Sequence, residues 1–178
     1  YSLFNSLTYL ISRDAVIQDI YYFSALAEHL RTSDPGVVKR HKDYIKCLRS
    51  TGIKAELARF KEKRIQCNQC RNDIIRHEEK ETDVAIAAKL LELFFVDACD
   101  TVVLVTGDTD LAPAVRTAKR LFPLKGILFC FPYKRKNREL VRLLPGSFRI
   151  KKERYIQHQL SNPVILPNGK KVYKPASW

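Results

Sequence analysis

The chain has 178 residues, 46% of them hydrophobic, which is enough for a domain with a true core and excludes a disordered polymer. Its net charge of +13, from 32 Lys and Arg against 19 Asp and Glu, favours a polyanionic partner, nucleic acid first and an anionic membrane surface second. No apolar run reaches the roughly 18 residues that a membrane span needs. The longest, Val84 to Val96, is interrupted by Lys89 and Glu92. The five Cys form no regular framework, and no signal peptide is evident, which favours a reducing, cytoplasmic compartment. The positive charge is clustered at Lys61–Arg64, Lys134–Arg138 and Lys151–Arg154 rather than spread evenly.

In chain order, Tyr21 to Ala25 reads as a strand, and Pro35-Gly36 breaks the chain after it. Val37, Tyr44, Ile45 and Leu48 fall near helical spacing, with Gly52 as the stop. Ala55 to Phe60 reads as a short strand. The polar, charged stretch 61–80 follows as an insert or long loop carrying Cys67 and Cys70. A helix is expected over Asp83 to Ala98, apolar almost all round and so buried on most of its surface, with Thr82 as its N-cap. Thr101 to Val105 is expected as the central strand, Asp110 to Leu121 as the next helix with Pro113 in its first turn, and Gly126 to Phe131 as another buried strand. Asn137 to Leu144 reads as a short helix and Ser147 to Ile150 as a last strand. The tail carries a turn signal at Asn168-Gly169 and is expected to pack back through Trp178. Strands alternating with helices of about a dozen residues predict an α/β fold with a doubly wound, mostly parallel sheet.

The residues Thr101-Val-Val-Leu-Val-Thr-Gly-Asp-Thr-Asp110 carry most of the functional signal. An apolar strand runs into a tight turn at Gly107 that bears two carboxylates, Asp108 and Asp110. In open α/β sheets that end of a strand is where ligands sit. Asp83 begins the preceding helix, whose N-terminus a right-handed crossover brings toward the same turn. Oxygen ligands of this kind suit Mg²⁺ or Mn²⁺. Two plainer roles compete: Asp110 as a helix N-cap, and Asp83 as a first-turn partner of the helix dipole.

Two motifs here resemble the NYN-domain family of PIN-like nucleases. Glu79-Lys80-Glu81-Thr82-Asp83-Val84 resembles its E-K-x-x-D-V motif, and Thr106-Gly107-Asp108-Thr109-Asp110 its S-G-D-x-D motif. The Tyr22-Phe23-Ser24-Ala25 strand and the closing Lys-Pro-Ala-Ser-Trp are similar to bacterial members. The resemblance implies a Rossmann-like PIN fold over residues 1–150, with 151–178 as a tail packed on it. It implies a metal-dependent endoribonuclease using Mg²⁺ or Mn²⁺, with RNA rather than a membrane as its partner; a homodimer is one open arrangement. Carried over by position, Asp83, Asp108 and Asp110 are the metal acids, Lys80 holds a phosphate, and Thr106, where the family usually has Ser, orients an acid or a water. One departure matters. The family's first strand ends in an Asp-Gly-x-Asn-type motif, and Tyr1-Ser2-Leu3-Phe4 is similar to the residues just after that Asp-Gly, with Ser2 at the Asn position. The first strand and its acid are therefore expected to precede Tyr1 in a longer chain.

Lys61, Lys63, Arg64 and Arg71 on the insert, with Lys134, Arg135 and Lys136, are the candidates for contacting a nucleic-acid backbone; Tyr133, Phe131 and Tyr44 are candidates for base stacking, with core packing the competing role for Phe131. Cys67 and Cys70 have the spacing of a zinc knuckle, but a structural Zn²⁺ needs four ligands, which His77, Cys47 or a second chain would have to complete. Two other functions stay open: a non-catalytic RNA-binding domain, and a phosphatase of the haloacid-dehalogenase type, for which the chain lacks the Asp-x-Asp-x-Thr motif.

Overall fold

The computed structural model describes residues 1–66 and 68–176. The chain divides into two compact units, one of Tyr1–Gln18 with Asp83–Gln159, the other of Asp19–Thr82 with Leu160 onward. The doubly wound α/β expectation is met, with parallel pairing in both units.

In the first unit, strand β4 (Thr101–Leu104) pairs in parallel with β5 (Gly126–Phe131), and β5 with β6 (Phe148–Arg149). The middle strand is thus β5, not the segment at 101–105 expected there. Its sequence explains the position. Side chains alternate between sheet faces, and β5 is apolar on both. Ile127, Phe129 and Phe131 join a cluster with Leu90 and Phe94 of helix α3 (Thr82–Phe95), Ala112, Val115 and Ala118 of α4 (Ala112–Leu121), and Leu140 of α5 (Arg138–Leu143). Cys130 faces the other way and packs with Leu7, Ile150, Val103, Phe148 and Tyr155. Burial pushes the Cys130 thiol up to about 12, so it stays protonated and behaves as a small hydrophobe. Phe131 is fully buried, which leaves core packing as its role.

Helix α3 departs from expectation. Only Leu90 and Phe94 are buried, one helical turn apart, while Val84 is 72% and Phe95 81% exposed. An apolar circumference buries only the face that meets a sheet. Thr82 lies inside the helix as its first residue, and its hydroxyl donates to Glu79 instead of capping.

In the second unit, β1 (Tyr21–Ala25) pairs in parallel with the first part of β2 (Lys54–Gln66), from Tyr21↔Lys54 to Ala25↔Ala58. The rest of β2 pairs antiparallel with β3 (Asp73–Lys80), from Arg59↔Lys80 to Gln66↔Asp73. The stretch expected as a loop is therefore a long two-stranded ribbon. Its side chains are mostly exposed on both faces, so no period-2 hydrophobic pattern marks it. Backbone pairing and cross-strand contacts hold it, including Ile65 opposite Ile74 and a Lys63–Glu78 ion pair at 3.6 Å. At its root, the rings of His29 and His77 stack at 4.1 Å, and Phe60 tilts against His29 at 4.7 Å. Helix α2 (Val37–Ser50) buries Val38, Ile45, Cys47 and Leu48 and ends beside Gly52, whose φ of +88° is a left-handed conformation favouring glycine. The hairpin of β7 (Val164–Ile165) and β8 (Lys171–Val172) packs Val164, Leu166 and Val172 against Cys47. Trp178, expected to anchor the tail, lies outside the described residues.

Burial first, and the neighbouring His77 second, lower the pKa of His29 below its ordinary value. A depressed histidine contributes stability above its unfolded pKa of about 6.5 that is lost as pH falls through that range. NMR titration should find His29 titrating below its unfolded value. The His77→Gln variant should recover part of that shift, because burial remains. A His29 titration indifferent to His77→Gln would contradict the stacked pair.

Candidate metal centre

The acid turn is pinned at both ends by burial. Leu104, the last residue of β4, is 7% exposed, and Leu111 is 2% exposed, while Asp108 and Asp110 between them face solvent. Two side-chain contacts shape the turn. Thr106 Oγ1 accepts a hydrogen bond from the Asp108 N–H at 3.0 Å, and Asp108 Oδ1 accepts one from the Asp110 N–H at 3.1 Å. Asp108 is thereby the N-cap of a short 3-10 turn over Thr109–Leu111, which runs into α4 at Ala112. The capping role thus falls to Asp108, not to Asp110, and Asp110 is left without that plainer explanation. Thr106 orients the backbone of an acid rather than its carboxylate.

A second loop locks the turn from the side. A Cβ added to Gly107 would overlap the backbone oxygen of Arg135, so only glycine permits this approach. Asn137 Nδ2 donates to the Gly107 carbonyl at 3.3 Å, while its Oδ1 accepts from the N–H groups of Glu139 and Leu140 at the start of α5. Asn137 is a structural residue that sequence reasoning missed. It read as the first residue of a helix; an Asn just ahead of a helical run is also an N-cap signal, and that was the available hint. Through this loop Arg135, flanked in sequence by Lys134 and Lys136, adjoins the acid turn. Lys134 Nζ sits 5.5 Å from the centre of the Tyr133 ring.

Asp83 arrives from α3. Leu90 and Phe94 pack on the same cluster as Leu104 and Ala112, and this fixes the helix start beside the turn. One carboxylate oxygen from each of Asp83, Asp108 and Asp110 lies within 4.8 Å of the others, and all three residues are exposed. Two like charges about 5 Å apart repel by roughly 1 kcal/mol even in water. No Lys or Arg forms an ion pair with Asp108 or Asp110 among the described residues. An all-oxygen, solvent-facing donor set fits a hard divalent cation that keeps some of its water.

The remaining candidates belong to the second unit. Lys80 belongs to the second unit, and its ammonium is 2.7 Å from Glu78. Lys61, Lys63, Arg64 and Arg71 belong to the ribbon and the segment linking its strands; Arg64 is 3.5 Å from Glu62, and the Arg71 carbonyl accepts from Gln66. Tyr44 meets Tyr22 edge-on at 6.1 Å. Cys70 is exposed and free, Cys47 is buried in a small apolar cluster, and His77 stacks on His29, while Cys67 lies outside the described residues.

A parallel α/β sheet with a cluster of acids at the carboxyl end of a strand defines a Rossmann-like domain with a candidate cation site. The chain belongs to the NYN domain family, whose model matches residues 5–143 and so includes all three acids. NYN domains are PIN-like nucleases, generally ribonucleases that use divalent metals. No curated protein and no solved structure matches the chain. No helix among the described residues is long and apolar enough to cross a membrane.

The locked turn can be tested directly. Gly107→Ala should destabilise the protein by about 1–3 kcal/mol in thermal unfolding, since the Arg135 backbone must move. It should also weaken Mn²⁺ binding measured by calorimetry. Asn137→Ala should cost about 1 kcal/mol through the missing cap. Wild-type Mn²⁺ affinity in Gly107→Ala would show that the approach of the two loops does not shape the site.

Proposed function

We propose that this chain is a metal-dependent endoribonuclease that hydrolyses RNA phosphodiester bonds at Asp83, Asp108 and Asp110. The observation that carries the reading is the convergence of three carboxylates within 4.8 Å, beside a basic loop packed on the same turn. A divalent cation, Mg²⁺ or Mn²⁺, when bound would lower the pKa of water and offset charge on the phosphoryl oxygens. The protein's own groups supply the positioning. Asp108 commits one oxygen to the Asp110 N–H, which stiffens the turn, and keeps its other oxygen for a ligand. Thr106 holds the Asp108 backbone in register. Lys134, Arg135 and Lys136 hold substrate phosphates, and Tyr133, 46% exposed, offers a ring on which a base can stack. Lys80 and the ribbon cations Lys61, Lys63, Arg64 and Arg71 supply further backbone contacts. The Lys80–Glu78 pair is solvent-exposed and worth little, so a phosphate can replace it.

The test uses purified protein, labelled single-stranded RNA and either Mg²⁺ or Mn²⁺. Cleavage should require the metal and stop on chelation. Asp108→Asn should lower the rate by at least about 10²-fold, the scale of removing a main electrostatic contributor, with an unchanged far-ultraviolet spectrum. Cleavage that survives in folded Asp108→Asn protein, or in chelator, would refute the mechanism. Metal-independent RNA binding with no cleavage would support a non-catalytic RNA-binding domain instead.

A further inference from the structure

The second unit contains a pocket of about 550 Å³, within the size range of ordinary ligand sites. Its walls come from distant parts of the chain. Lys39, Lys42 and Lys46 line it from one face of α2, at helical spacing, with Arg31 from the 3-10 turn that precedes the helix. Lys170 and Lys171 line it from the β7–β8 hairpin, which the contacts of Val164, Leu166 and Val172 with Cys47 place against the helix. Tyr173, 64% exposed, completes the rim.

The charge in this pocket is not balanced. Glu28 pairs with Arg31 at 2.5 Å and Lys42 at 3.6 Å, and Asp43 with Lys39 and Lys46, each at 2.9 Å. Two carboxylates thus serve four cations, while Lys170 and Lys171 form no ion pair among the described residues. Concentrating ammonium groups in a concave surface raises the local potential and draws in anions. The pocket is larger than one phosphate needs and has an aromatic ring at its rim, a combination suited to successive phosphates with a base between them.

We propose that this pocket is a second docking site for single-stranded RNA, with backbone phosphates on Lys39, Lys46, Lys170 and Lys171 and a base stacked on Tyr173. It rests on the reading of the chain as an RNA-acting protein, but it assigns binding to residues that take no part in the acid cluster. Neither the family motifs nor the basic clusters at 61–64, 134–138 and 151–154 include it.

The experiment is fluorescence anisotropy of a labelled single-stranded RNA with the full chain in chelator, where binding is read without cleavage, over a range of salt concentrations. Lys170→Gln/Lys171→Gln should weaken binding about tenfold or more at moderate salt. It should also flatten the plot of log K against log salt by about 0.7 for each phosphate that is no longer neutralised. Tyr173→Ala should lower affinity about fivefold or more, and Tyr173→Phe should restore it. The control, Arg116→Gln/Arg120→Gln, removes the same charge from the exposed face of α4, outside every basic cluster. Equal losses in test and control would overturn the proposal, because they would reflect net charge alone. So would wild-type affinity and slope in Lys170→Gln/Lys171→Gln, or a loss confined to binding of vesicles containing anionic lipid. Wild-type RNA cleavage in metal alongside either result would leave the nuclease reading intact. Loss of RNA binding in the pocket variants with no cleavage by any form would retain the docking site and remove the nuclease.

Discussion

The candidate site depends on a contrast in burial across a few residues. Leu104 and Leu111 are held in the core, and the turn between them must carry Asp108 and Asp110 at the surface. Hydrophobic burial at the two ends, worth about 1.5–3 kcal/mol for each large side chain, sets the height of the turn above the sheet. The Thr106 and Asp108 side chains then decide its shape by occupying backbone N–H groups that would otherwise face water. The approach of the Arg135 carbonyl to Gly107 adds a lateral restraint, and Asn137 ties that loop to α5. Three carboxylates can be kept close without a covalent link because every element that carries them is anchored in one apolar cluster.

The same cluster links chemistry to charge. Its residues on β5 place the loop after that strand, and this loop carries Lys134, Arg135 and Lys136. A chain with a net charge of +13 thereby sets anionic oxygens and cations side by side, although neither composition nor spacing requires it. In the proposed mechanism the acids would hold a divalent cation, and the basic loop would hold the phosphates on which such a cation acts. The second unit uses different means. Its ribbon has little core of its own and relies on strand pairing and on the stacked rings of His29 and His77. Its basic pocket relies on an apolar contact between a helix and a hairpin more than a hundred residues apart.

Elements with one strong hydrophobic period were legible in the sequence. Strand β1 and helix α2, β5, and the turn at Asn168-Gly169 occupy the expected residues because burial writes a clear pattern there. The ribbon at 54–80 was not legible beyond Phe60. Its strands bury neither face, and pairing between exposed strands leaves no periodic trace. The helix at 82–95 misled in the opposite sense, since its uniform apolarity says nothing about which face meets the sheet. Within the site, the acids were visible as a motif. The Arg135 carbonyl was not, because a backbone atom in contact with a glycine has no residue-type signature; Asn137 offered only an N-cap hint and nothing of its bond to Gly107.

By itself the sequence determined the class of fold, the family and the three acids, because strand–turn–helix patterning and a short acidic motif are local properties. It also determined the net charge of +13, which favours a polyanionic partner, because charge is additive and independent of shape. Crossover handedness led to the expectation that Asp83 approaches Asp108 and Asp110, and the tertiary structure gave the distance; only the tertiary structure decided that the basic loop at 134–136 adjoins their turn, and that lysines at 39–46 and 170–171 share one pocket. Those juxtapositions follow from side-chain packing between segments distant in the chain, and the energy of such packing depends on partners that no local window contains.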